Sequence, residues 1–300
     1  MKHILLSRAA FVACAIFVAG CAHGDAPAAP GDACAVARAS RVGASTSIPF
    51  ELVNGRIYVE ARVNGQGPFR FAVDTGASGF GRADSTLVSA LGLAVTGRAE
   101  TSDGVSTASV NTVRLDALQL GEIRREGIDV ITRDYGSNLS EEARFAGILA
   151  RDFFADGLLI IDFPAQRLTF TDAVGLSPDH AGALSYERPF RIPVTIGERA
   201  VIANLDTGAG VTLVLPRTLW DEVGSGPLEP AGRGRLTNNV IDTYRGVVPG
   251  PLRAGGASFS NIEARVADRF PEALIGGEAL RDLVVAIDQR SQVVAMCPAA

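Results

Sequence analysis

The chain has 300 residues, 28 basic and 33 acidic side chains, a formal net charge of -5 and a 47% hydrophobic content. With Lys2 as the only lysine and no basic stripe interleaved with aromatic residues, this mild acidity argues against nucleic acid as a partner. A chain of this length buries an ample core without metals or staples, and it is long enough for two domains.

Residues 1–20 read as an export signal, with Lys2 and Arg8 as the basic start and Ala9 to Ala19 as the apolar core. That core is too short for a convincing membrane span. The run Val18-Ala19-Gly20-Cys21 resembles the bacterial lipoprotein cleavage box, in which the cysteine is lipidated and becomes the first residue of the mature chain. A plain secretory signal with an incidental cysteine is the other reading. Ala22 follows the cysteine, so no aspartate signals inner-membrane retention, and the resemblance implies a periplasmic protein held on the outer membrane by lipid on Cys21. Residues 21–45, with mostly Ala, Pro, Gly and Asp up to residue 40 and no apolar periodicity, are expected to be a flexible tether. Cys34 and Cys297, near the two ends of the mature chain, either pair in an oxidising compartment or stand as two unrelated small residues.

A first lobe is expected over 46–175. Residues 57–63 alternate as a strand, turn at Asn64-Gly65, and return as a strand that ends at Asp74. Residues 85–94 suit a short helix with Leu87, Val88 and Leu91 on one face. The polar stretch 97–112, centred on Asp103, Gly104 and Val105, predicts an exposed hairpin: a cover over a site, or merely a solvated loop. Strands follow at 113–120, 126–132, 146–149, 158–162 and 167–171. Residues 173–185 form the expected connection to a second lobe over 186–298. Its order repeats the first: strands at 190–196 and 200–205, Asp206, a short helix at 216–223, a polar hairpin around Thr237-Asn238-Asn239, and strands at 273–276, 283–288 and 292–296. The fold class is therefore all-β with short helices, in two duplicated lobes with a cleft between them.

The duplication is sharpest at Asp74-Thr75-Gly76 and Asp206-Thr207-Gly208, which lie 132 residues apart and each close an apolar run. A second block repeats at a slightly shorter offset, Ile148-Leu149-Ala150 with Leu274-Ile275-Gly276. A carboxylate at the end of an apolar strand sits where burial penalises its charge. Brought face to face, two such groups cannot both ionise readily, and they share one proton; aspartic proteases are the standard example of this effect. The ionised member then takes a proton from water while the protonated member polarises a carbonyl. Thr75 and Thr207 are placed to hydrogen-bond across the junction. Gly76 and Gly208 permit the tight path that brings main-chain N–H groups to the carboxylates. The alternative is that Asp74 and Asp206 are turn formers, the ordinary role of Asp before Thr-Gly.

The doubled Asp-Thr-Gly, followed some seventy residues later by the apolar-apolar-Gly strand Leu274-Ile275-Gly276 in the second half and by Ile148-Leu149-Ala150, which matches except for its last residue, in the first, resembles the pepsin and retropepsin superfamily of aspartic proteases. The resemblance runs from about 48 to 297. It implies a bilobal acid-protease fold, peptide or protein substrates, and Asp74 and Asp206 as the catalytic pair. Thr75, Gly76, Ser78, Thr207 and Gly208 would support that pair, and 97–112 would be the substrate-covering flap. Three departures stand out. Gly210 occupies the place where the family carries the hydroxyl found at Ser78, Ala150 replaces a glycine, and 97–112 lacks the flap tyrosine of pepsin, which puts the chain nearer the bacterial retropepsin-like branch.

Other chemistries lack their groups. Only His23 and His180 remain beyond the signal segment, so a nucleophilic triad has no base, and no histidine or cysteine pair has metal-ligand spacing. Asp162 and Asp288 recur between a strand and a polar turn and read as turn residues. The expectation is a monomeric, cofactor-free and metal-free aspartic endopeptidase that touches the membrane through lipid only. The alternative is a non-catalytic peptide-binding or envelope-interaction lipoprotein of the same fold, suggested by Gly210 and Ala150.

Overall fold

Along the strand Arg56–Val63 the buried Ile57, Val59, Ala61 and Val63 alternate with the outward Glu60 and Arg62, and the chain reverses at Asn64-Gly65 with both residues at positive φ. The computed structural model describes residues 31–41, 46–137 and 139–299. The strand pairs antiparallel with Gln66–Asp74 on one side and, through Arg62 and Val63, with the end of Thr107–Leu120 on the other. The eight-stranded sheet of the first lobe thereby closes on itself around Phe71, Val113, Leu115, Leu118 and Leu149. The second lobe is a nine-stranded sheet that runs in chain order from Arg191–Ile196 to Ala273–Gly276 and includes Arg199–Asp206.

A third, six-stranded sheet takes strands from both halves. At its centre Leu158–Asp162 pairs antiparallel with Leu283–Asp288, flanked by Arg167–Thr171 and Val293–Pro298. Nearly every side chain of these strands is buried, which explains their continuous rather than alternating apolar sequence. The lobes are thus joined through a shared floor. The strands expected at 158–162 and 283–288 belong to it, as does the two-residue strand Leu184–Ser185 inside the expected connection. Asp162 and Asp288 hold their turns as expected: Asp162 accepts the Ala165 N–H at 3.0 Å and Asp288 the Arg290 N–H at 3.1 Å.

Three boundaries shift. The helix expected over 85–94 is limited to Ser85–Ala90, capped by Asp84, which accepts the Thr86 N–H at 2.9 Å. The expected 97–112 hairpin and the 113–120 strand are one element. Its arms Val95–Ser102 and Thr107–Leu120 pair from Val95↔Val113 to Ser102↔Thr107. The tether reading of 21–45 fails over its described part. Asp32 accepts the Ala35 N–H at 2.8 Å and caps the helix Ala33–Ala39, which buries Ala33 and Ala37 against Leu158, Ile160 and Ala286. Residues four apart share one helix face, and alanine is a strong helix former, so an Ala-rich stretch that lacks long apolar side chains still packs. The helix is bound covalently by the Cys34–Cys297 disulfide, whose Cα atoms are 5.5 Å apart. The signal segment 1–20, Cys21 and the rest of 21–30 and 42–45 lie outside the described residues.

Candidate active site

Two equivalent strands deliver the two Asp-Thr-Gly turns. Gln66–Asp74 runs parallel to Gly147–Ala150 with Asp74 opposite Ala150, and Arg199–Asp206 runs parallel to Ala273–Gly276 with Asp206 opposite Gly276. The repeated apolar blocks therefore lie directly beside the turns.

The turns meet at the lobe boundary through a reciprocal set of buried hydrogen bonds. The Thr75 N–H donates to Thr207 Oγ1 at 3.1 Å, and the Thr207 N–H donates to Thr75 Oγ1 at 3.0 Å. Each hydroxyl then donates into the opposite strand, Thr75 to the Leu205 carbonyl at 3.1 Å and Thr207 to the Val73 carbonyl at 2.9 Å. Thr75 is 2% exposed and Thr207 0%, so water cannot substitute for any of these partners. Beside them Gly76 faces the Asp206 carboxyl and Gly208 faces the Asp74 carboxyl, and a methyl group at either glycine would overlap the opposing acid. Arg56 closes the junction from the first lobe by donating from Nε to the Gly208 carbonyl at 2.8 Å.

Within this frame Asp74 Oδ1 accepts the Ala77 N–H at 2.9 Å and Asp206 Oδ1 accepts the Gly208 N–H at 2.8 Å. The Asp206 carboxyl is also hydrogen-bonded to that of Asp74. Its pKa is pushed up from 3.8 to about 8, first by burial and then by the charge of Asp74, against the opposing pull of the Gly208 N–H and Arg56. An acid that keeps its proton at neutral pH and shares it with a neighbouring carboxylate is equipped for acid-base work.

The supporting residues fall into place unevenly. Ser78 does not bond to Asp74: among the described residues its hydroxyl meets only Arg82 Nη2, at 3.5 Å. In the second turn the position is Gly210, and the Asn54 carbonyl occupies the space that a side chain there would need. Ala150 is accommodated, buried at 1% exposure, with its N–H donating to the Phe80 carbonyl at 3.1 Å. At Gly276 the carbonyls of Val211 and Ala209 leave no room for a methyl.

The tip of the first hairpin is an Asp103 turn whose Oδ1 accepts the N–H groups of Val105 at 3.0 Å and Ser106 at 2.9 Å, with Gly104 at a φ of 83°. This tip joins the second lobe. Asp103 Oδ2 accepts the Asn238 N–H at 2.7 Å, and Asn238 Nδ2 donates to the carbonyls of Thr101 and Ser106 at 3.1 and 3.0 Å. Asn239 Nδ2 reaches Ser106 Oγ at 2.6 Å. Burial opposes the Asp103 charge, but the N–H groups of Ser106, Asn238 and Val105 outweigh it and hold the carboxyl below its ordinary value. The two polar hairpins thus form one bridge across the lobe boundary. Sequence reasoning found both but not their union, because 237–239 shares no residue pattern with 101–106. It also missed Arg56, which looks in sequence like an ordinary outward residue after a turn.

Two β lobes on a shared floor, with a pair of hydrogen-bonded carboxyls at their junction, define an acid-protease-like molecule. The sequence profile described as aspartyl protease matches residues 59–153 and 192–281, one segment in each half and together more than half of the chain. The chain belongs to the aspartyl protease family, a family of peptidases. A comparison with curated protein sequences returns no match.

Proposed function

We propose that the chain is a single-chain aspartic endopeptidase in which Asp74 and Asp206 activate a water molecule between them. The observation that carries this reading is the shared carboxyl pair with its elevated Asp206. Asp74 removes a proton from the water, whose oxygen attacks the peptide carbonyl carbon. Asp206 donates its proton to the carbonyl oxygen, and a tetrahedral diol results. Collapse of that diol returns a proton to the leaving nitrogen and breaks the C–N bond without a covalent intermediate. The substrate lies extended in the cleft beneath Asp103, Gly104 and Val105. Both acids come from one polypeptide, so a monomer suffices, and the chemistry calls for neither cofactor nor metal.

We place the enzyme in the periplasm, held to the outer membrane by lipid on Cys21, on the strength of the residues around that cysteine. The non-catalytic alternative rests on Gly210, where the Asn54 carbonyl takes the place of a supporting hydroxyl, and on Ala150; peptide binding by the unaltered chain without hydrolysis would favour it. Hydrolysis of a denatured protein mixture by the purified chain tests the reading. Asp74→Asn and Asp206→Asn are each expected to lower the rate by about 10²–10⁴-fold with thermal unfolding still cooperative. Full activity in either variant refutes the assignment.

A further inference from the structure

The strand Ile123–Arg133 ends where the hairpin bridge begins, and its last residue is unusually placed. Arg133 Nη1 donates to the Thr237 carbonyl at 2.9 Å, while Nε and Nη2 are buried without a hydrogen-bond partner among the described residues. Two more buried polar atoms without partners belong to the same neighbourhood, the Tyr135 hydroxyl and Asn238 Oδ1. Guanidinium N–H groups buried without an acceptor are destabilising unless an anion or another acceptor meets them. The adjacent edge formed by Nε and Nη2 is the fork that takes a carboxylate through two parallel hydrogen bonds.

Among the described residues no carboxylate fills this role. Asp84 is occupied by the N–H groups of Thr86, Tyr135 and Gly136, Asp103 by the hairpin bridge, and Asp134 by the Ser137 N–H. Arg82 adds positive charge from the neighbouring strand, where Arg82 pairs with Ile131 and Asp84 with Arg133. Arg82 and Tyr135 lie within electrostatic reach of each other, of Arg133 and of Asp74. The Tyr135 phenol, its pKa raised to about 12 chiefly by burial, remains a neutral donor.

We propose that Arg133 and Tyr135 form a carboxylate-binding subsite beside the paired aspartates, which selects peptides bearing an acidic side chain or a free C-terminal carboxylate near the cleaved bond. The identity of the ligand as a peptide rests on the peptidase reading; the preference of the Arg133 fork for a carboxylate does not.

The test uses the whole purified chain and matched peptides that differ only by Glu or Gln at successive positions, each made with a free or an amidated C-terminus. The ratio of kcat/KM between the acidic and neutral members of a pair is expected to be about tenfold or more at one position or at the terminus. The location of that ratio tells a side chain from a chain end. Arg133→Gln should bring the ratio close to one, and Arg133→Lys, which keeps the charge but loses the fork, should give an intermediate value. A ratio near one throughout for the unaltered chain overturns the subsite, and a ratio that survives Arg133→Gln overturns the assignment to Arg133. Binding of the same peptides to Asp74→Asn protein, read by fluorescence anisotropy, separates the two claims. Preferential binding of the acidic member without cleavage by the unaltered chain supports the subsite and defeats the peptidase reading. Cleavage without preference does the reverse.

Discussion

The Asp74 and Asp206 turns make the same grip in unequal surroundings. Each threonine gives its hydroxyl to the opposite turn and takes an N–H in return, and each glycine clears space for the opposing acid. Beyond this core the halves diverge. The first turn has room for Ser78 and for the methyl of Ala150. The second is crossed by the Asn54 carbonyl at Gly210 and hemmed by the Val211 carbonyl at Gly276. The difference teaches that the absence of a side chain at Gly210 has a steric cause, the Asn54 carbonyl, as does the absence of a methyl at Gly276. At Gly210 the obstacle comes from the other lobe and at Gly276 from the same one, whereas the threonine and glycine contacts around the two acids have stayed symmetric.

The strongest way to break this comparison is to remove the grip one side at a time. Thr75→Val and Thr207→Val each strand an opposite N–H and an opposite carbonyl, so each should cost about 2–4 kcal/mol in denaturant unfolding. The two losses should be similar and strongly non-additive. A large loss on one side only would show that the symmetry is geometric and not energetic.

A smaller effect sharpens the asymmetry. Gly210→Ser, which makes the second turn resemble the first, drives a side chain into the Asn54 carbonyl and should cost about 1–3 kcal/mol. The reciprocal Ser78→Gly removes only a marginal contact with Arg82 and should stay within about 1 kcal/mol. Equal costs would mean that the second turn has room it does not use.

A separate effect is a pH trend in stability. Asp206 has its pKa raised in the fold, so ionising it there is penalised relative to the unfolded chain. Its contribution is fully retained below about pH 4 and is lost as pH rises towards 8. Asp206→Asn cannot ionise, so its melting temperature should gain on that of the unaltered chain across this window and hold a constant lead above it. Parallel melting curves over pH 4–8 would contradict the shift.

Much of this was readable from the sequence because the duplicated features are local. An apolar strand ending in Asp-Thr-Gly specifies its own turn, and two copies in register imply a shared junction. The all-β class, the short helices and the threonine exchange follow from such patterns. What stayed hidden is tertiary. Nothing in Arg235 to Asn239 announces a partner at Asp103, and nothing at Asn54 says that its carbonyl will exclude a side chain at Gly210. The helix Ala33–Ala39 reads as tether in sequence because its burial depends on small side chains and on a disulfide to a residue 263 positions away, neither of which leaves a periodic apolar signal.

The central claim is that the two acids meet and hold one proton between the lobes. Carbon-13 NMR titration of the aspartate carboxyls tests it most directly. One carboxyl, assigned to Asp206 by its absence in Asp206→Asn, should remain protonated well past the usual carboxylate range, and its midpoint should fall in Asp74→Asn, which removes the neighbouring charge but not the burial. If every aspartate instead loses its proton in the ordinary range, and Asp74→Asn changes none of them, the pair does not exist as described.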